Sequence, residues 1–223
     1  MMIILKELFS MLYWIGIPML LNPITKRNRE LGRKLTHMLV HSWWFLSLFL
    51  FDNFWYAVAI PAFYVIVGTI FALMKEPPSF LSDVERESEV GLFKFSYIVS
   101  PLSIVVVVFF QYFIFKNEYL AGFAILALSF GDAAAALIGS KFKFGEYRFG
   151  SHVKTLAGSL SMFFTTFLLC ILYSYIIGVP LDRLVFCIII SSIATVTEAV
   201  SVRGFDNLTI PAVCCVFTWI LCQ

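Results

Sequence analysis

One carboxylate stands where a lipid bilayer disfavours it. The run Leu120 to Gly139, LAGFAILALSFGDAAAALIG, is long enough to span a membrane and carries Asp132 within it. A charged residue at the centre of a spanning helix costs roughly 2.5–3.5 kcal/mol on insertion scales, and such residues usually face a protein-lined polar cavity. Asp132 therefore reads as a metal ligand or as a base that activates a hydroxyl. A structural hydrogen bond to a neighbouring helix is the plainer alternative. The alanines after it need no chemical reason, because small residues let helices approach closely.

Three further groups carry chemistry. Phe144 to Thr155, FGEYRFGSHVKT, is a basic, glycine-bearing loop, and Lys154 and Thr155 fall where the next helix should begin. A helix start offers free N–H groups and a positive dipole end, both suited to phosphate. The pattern is not that of a P-loop, and a basic loop touching anionic lipid is the plainer reading. Glu198 to Asn207, EAVSVRGFDN, supplies Asp206 and Asn207, oxygen donors of the kind Mg²⁺ accepts. Turn chemistry alone also explains Gly-Asp-Asn. Arg33, Lys34 and His37, continuing to His41, start another apolar run, with positions 33, 37 and 41 on one helix face. Zinc is not expected there: no H-E-x-x-H and no third ligand accompany the two histidines. His37 is read as a phosphate donor or site-orienting group, against simple interface snorkelling by Arg33 and Lys34. The charged stretch 83–89 reads as a solvated loop.

The elements that must position these groups are membrane spans. Of 223 residues, 61% are hydrophobic and 13% charged, far from the balance of a soluble domain. The expected architecture is all-α, a polytopic transmembrane bundle in a single integral membrane domain, residues 1–223. A span needs about 20 mainly apolar residues. Eight segments qualify (4–21, 35–51, 54–74, 95–115, 119–140, 156–177, 184–200 and 208–222), with a range of six to eight because three are short. The five cysteines sit in apolar runs without metal spacing and read as small buried hydrophobes. Lys6 and Glu7 interrupt the first apolar stretch, so it is expected to remain as a span rather than a cleaved signal.

Loop charge orients the bundle. All of the 16 Lys and Arg residues except Lys6, Lys116 and Arg183 fall in the loops after spans one, three, five and seven. Positive loops stay cytoplasmic, so both termini are expected outside. Asp132, Glu198, His37 and His41 then collect toward the inner leaflet. That arrangement favours an enzyme site fed by cytosolic nucleotide over a transporter, whose polar groups typically lie near the midplane in repeated halves.

Four motifs in order resemble one family: R-K-L-x-H (33–37), G-D-A-A-A-A-L-I-G (131–139), K-T-L-A-G-S (154–159) and E-A-x-S-x-R-G-x-D-N-L-T-x-P (198–211). They are similar to those of the dolichol kinase, phytol kinase and yeast-type diacylglycerol kinase family. Singly each is modest; four in order, covering nearly the whole chain after Asn22, are specific. The resemblance implies CTP as phosphate donor, Mg²⁺ or another divalent cation, and a membrane lipid alcohol as acceptor. It implies that Lys154, Arg148, Thr155, Gly158 and Arg203 serve the CTP phosphates. Glu198, Asp206 and Asn207 would join Asp132 at the metal, and Arg33, Lys34 and His37 would line the phosphate entrance. Asp132 and Lys154 are the expected catalytic pair, and the lipid tail is expected between spans rich in Phe and Trp, near Trp43 and Trp44. The related CDP-diacylglycerol synthases share some elements, but their C-terminal K-D and H-G-x-x-D-R-x-D signature is absent here, where Gly204-Phe205-Asp206-Asn207 stands. Phosphatidate cytidylyl transfer and a non-enzymatic lipid transporter or binding protein remain the alternatives. No nucleic-acid partner is expected. Oligomeric state and the identity of the acceptor stay open.

Overall fold

The computed structural model describes residues 1–74, 96–149, 152–179, 183–201 and 204–223. The expected charged loop at 83–89 and Arg203 lie outside the described residues.

Among the described residues the chain forms eight helical rods and one small hairpin. The rods are α1 (Met2–Arg27), α2 (Arg29–Leu50), α3 (Phe54–Leu73), α4 (Ser96–Phe109, continued by a π-helical turn Phe110–Ile114), α5 (Glu118–Lys141), α6 (Leu156–Ile177), α7 (Arg183–Val200) and α8 (Asp206–Leu221). Each coincides with one expected apolar segment. Five of them, α1, α3, α5, α6 and α7, are long and apolar enough to cross a membrane. α4 and α8 are shorter apolar helices, and α2 begins in the polar stretch Arg29-Glu30-Leu31-Gly32-Arg33-Lys34. The protein is thus an all-α integral membrane protein with five helices of spanning character, a smaller number than the eight expected spans.

Local chemistry explains the turns. Asn28 ends α1 and caps α2, its side chain accepting from the Leu31 N–H at 3.1 Å. The two helices then run back antiparallel. The Tyr13 hydroxyl donates to the Leu39 carbonyl at 2.8 Å, and Lys6 Nζ donates to the Leu50 carbonyl at 2.6 Å, near the far end. Gly32 permits the close return: a Cβ there would lie 2.4 Å from the Thr25 Cα. Asn53 and Asn117 cap α3 and α5 in the same way as Asn28.

The hairpin is the departure from a purely helical expectation. Glu146–Phe149 pairs antiparallel with His152–Thr155, Glu146 opposite Thr155 and Tyr147 opposite Lys154. Tyr147, Phe149 and Val153 are strand formers, and Gly145 enters the hairpin with φ 66°. The Tyr147 hydroxyl and Ser159 Oγ, 2.6 Å apart, pin the hairpin to α6.

α5 is the central helix. Of its spanning window 72% is buried inside the protein, against 11% for α1 and 22% for α6. It packs on α2, α6 and α8. Gly139 and Gly158 face each other where α5 crosses α6, and a Cβ on Gly158 would lie 2.9 Å from the Ala135 carbonyl oxygen. The alanine run is therefore a close-packing surface. Trp43 and Trp44 are fully buried, and Trp44 Nε1 donates to Gln111 Oε1 at 2.9 Å. These indoles belong to the core.

Candidate functional site

Four helices and one strand deliver polar side chains to the cluster. Lys34 comes from the first turns of α2 and Asp132 from the second half of α5. Lys154 comes from the strand before α6, Glu198 from the end of α7 and Asp206 from the start of α8. These helices alternate in direction, so starts and ends meet at the same level.

Two buried ion pairs form the centre. Lys34 Nζ lies 2.5 Å from Asp132 Oδ2, joining residues 98 positions apart. Lys154 Nζ donates to Glu198 Oε1. Lys34 is 6% exposed, Asp132 3% and Glu198 5%. Charged groups are almost never buried so fully unless paired, and here each acid has its own base. The pairs also sense one another: Asp132 feels the charge of Lys154 and Arg33, and Glu198 feels Asp132 and Asp206. Asp206 in turn feels Asp132, Lys34 and Lys154. Among the described residues no ion pair closes on Asp206, whose Oδ1 accepts only from the Asn207 N–H, at 3.0 Å. The cluster thus holds three carboxylates against two lysines.

The geometry of α5 helps to aim Asp132. A π-helical turn, Ala127–Gly131, immediately precedes it. Such turns shift the face of everything downstream and recur at functional sites. His37 and His41 stack beside the cluster with ring centroids 4.0 Å apart. His41 is tied down on both sides: Nδ1 contacts the His37 carbonyl at 2.8 Å and Nε2 the Ser100 carbonyl at 3.2 Å. The ring nitrogens of His37 are buried, with Lys34 and Arg33 nearby and the Asn207 side chain as the one polar group in hydrogen-bonding range.

The remaining expected residues divide. Arg33 pairs with Glu30 at 3.1 Å, one helical turn away, while its Nε is buried without a partner. Thr155 Oγ1 is the cap of α6, accepting from the Gly158 N–H at 3.1 Å, and Gly158 is packed against α5. Both shape the site from behind. Arg148 is exposed, and register puts it opposite Val153, on the face of the hairpin away from the Tyr147–Lys154 pair. The structure does not bring it to the cluster. Lys34, expected at the phosphate entrance, is the partner of Asp132. The signal for it was present: a carboxylate in an apolar span demands a nearby cation, and Lys34 is a basic residue leading into such a span.

The donor set suits a hard divalent cation in kind, being carboxylate and amide oxygen. It is not a closed cage: among the described residues no three His, Cys, Asp or Glu side chains converge as a metal site.

Fold and site together define a class: an integral membrane helical bundle with a buried cluster of lysines and carboxylates at one end. Over 207 residues the chain is 25% identical to the phytol kinase of Synechocystis sp., covering 90% of this chain and 83% of that protein. This likeness runs over most of both chains and agrees with the four motifs, which resemble those of the lipid alcohol kinases. No protein-family model matches the chain, and no solved structure does.

Proposed function

We propose that this protein transfers the γ-phosphoryl group of CTP to the hydroxyl of a membrane lipid alcohol at the cytoplasmic leaflet. The acceptor class is a polyprenol or dolichol, a phytol-type isoprenoid, or diacylglycerol. The observation that carries the reading is the pair of buried lysine–carboxylate bridges, Lys34–Asp132 and Lys154–Glu198, with a third carboxylate, Asp206, in electrostatic contact with both lysines.

Phosphoryl transfer asks the protein for positioning and charge neutralisation rather than covalent help. The lysines do this by exchange. An arriving triphosphate offers them a richer set of oxygens, so Lys34 and Lys154 turn from the carboxylates to the phosphates. The carboxylates are then released where negative charge has just accumulated. Asp132, Glu198, Asp206 and Asn207 are the groups that would hold a divalent cation, which supplies charge neutralisation across the phosphates. His37, beside Lys34 and Asn207, can donate to a phosphate oxygen. The lipid oxygen forms the new bond to the γ-phosphorus. The bond from that phosphorus to the bridging oxygen breaks, and CDP leaves. The hydroxyl proton passes to a carboxylate of the cluster, with Asp132 serving as that base or as a metal ligand. Loop charge supports a cytoplasmic site, all eight helices crossing and both termini outside.

The test follows both halves of the nucleotide. Purified protein in vesicles containing phytol, polyprenol or diacylglycerol is expected to make a lipid phosphate and release CDP. Release of pyrophosphate with a CDP-lipid product would instead identify a cytidylyltransferase. Nucleotide binding without turnover on any lipid would indicate a transporter or binding protein.

A further inference from the structure

The cluster has an apolar neighbour. A groove of about 550 Å³ runs between α7 and α8, lined by Val196, Val200, Ser201, Phe205, Thr209 and Val213 among others. That volume is in the range of roughly 300–1,000 Å³ typical of small-molecule sites. It opens on the outer surface of the bundle, where Val196 is 62% exposed and Val200 42%. Its walls are the two helices that carry Glu198 and Asp206. Asp206, Thr209 and Val213 follow one another at i, i+3 and i+7, so the α8 wall and the free carboxylate share one stripe.

The groove is graded in polarity. Valines line its flanks, and a hydroxyl bridge links its two walls: Ser201 Oγ and Thr209 Oγ1 are 2.7 Å apart. The Thr197 carbonyl lies 2.6 Å from Ser201 Oγ and the Phe205 carbonyl 3.0 Å from Thr209 Oγ1, so one hydroxyl donates to its own helix and the other donates across the bridge. An apolar slot with a polar seam matches a molecule with an apolar chain and a hydroxyl end. A helix from a second copy would need a long contact stripe rather than a slot of this size.

We infer that the α7–α8 groove holds the apolar chain of the lipid alcohol, its hydroxyl end toward the Ser201–Thr209 bridge and the carboxylates. This rests on the kinase reading and specifies it. The acceptor enters sideways from the bilayer, between the helices that bear Glu198 and Asp206, and its chain never leaves the apolar phase. The fully buried Trp43 and Trp44 take no part.

The experiment uses the full chain in vesicles with a long-chain alcohol carrying a photoreactive diazirine on its chain. Label is expected on residues 196–213, suppressed by excess unlabelled alcohol. Val200→Trp and Val213→Trp are expected to raise KM for the long-chain alcohol at least about tenfold while changing kcat by less than about twofold. A short-chain, water-soluble alcohol should be affected far less. Val185→Trp, exposed at the other end of α7, is the control. Label elsewhere, or equal KM for long and short alcohols across the variants, overturns the groove and leaves the kinase reading standing. Competed label in the groove without transfer from any nucleoside triphosphate supports the groove and overturns the kinase reading. Crosslinks between two copies of the chain at 196–213, in place of lipid label, overturn the groove.

Discussion

At the scale of single residues, the informative fact about Asp132 is its partner. An unpaired carboxylate in this position would be expensive; paired to Lys34 it is neutralised at the level of the pair, but held ready to separate. Breaking a buried pair from one side costs about 3–5 kcal/mol, whereas replacing both members by apolar groups is often neutral. Asp132→Asn should therefore lower the thermal midpoint clearly, because Lys34 is left buried and alone. The double variant Asp132→Leu with Lys34→Met should recover most of that loss. Neither should transfer phosphate, with rates down at least about 100-fold. Thermal unfolding in detergent beside a transfer assay checks both; recovery of stability together with activity would remove the pair from the chemistry. The sequence displayed the need for such a partner, through the position of Asp132, but not its identity. Which cation answers it depends on a contact across 98 residues, and no local pattern encodes that. Glu198 and Lys154 were legible as chemical residues for the same local reasons, and their pairing was not.

At the scale of elements, hydrophobic run length located all eight helices, since long apolar stretches have few alternatives in lipid. Their ends were harder. α1 and α2 extend past the apolar runs because Asn28 caps one helix as it ends the other. The hairpin was missed because two strands of four residues bearing charges leave too short an alternation to read. That hairpin changes two roles. Lys154 is aimed by a strand pinned through Tyr147 to Ser159, and Thr155 is a helix cap. Thr155→Val should cost about 0.5–2 kcal/mol through loss of the cap. Gly158→Ala should cost about 1–3 kcal/mol, because its new methyl meets the Ala135 carbonyl. Chemical denaturation in mixed micelles measures both. A rise in nucleotide KM with unchanged stability would instead assign them to phosphate binding.

At the scale of the whole molecule, alternation of helix direction does the assembling. Lys34, Lys154, Glu198 and Asp206 sit near helix ends, Asp132 reaches them from the second half of α5, and the sequence puts the basic segments after α1, α3, α5 and α7. The positive-inside rule then makes a statement about the cell. Single cysteines placed at Met2 and Gln223, in a background lacking the five native cysteines, should react with an impermeant maleimide applied from outside to intact cells. A cysteine at Phe144 should react only after the membrane is opened. Labelling of the termini only after permeabilisation would invert the topology and put the cluster on the outer face.

The central claim is that the two lysine–carboxylate bridges serve phosphoryl transfer to a lipid alcohol. Its most direct measurement gives γ-labelled CTP to the purified full chain in vesicles containing a long-chain isoprenoid alcohol, with and without Mg²⁺. The wild type, Asp132→Asn and Lys154→Met are compared side by side. The account predicts label in the lipid for the wild type with Mg²⁺, and at least about 100-fold less for either variant or without the metal. Equal labelling by wild type and both variants, or no labelled lipid from any of them, would contradict it.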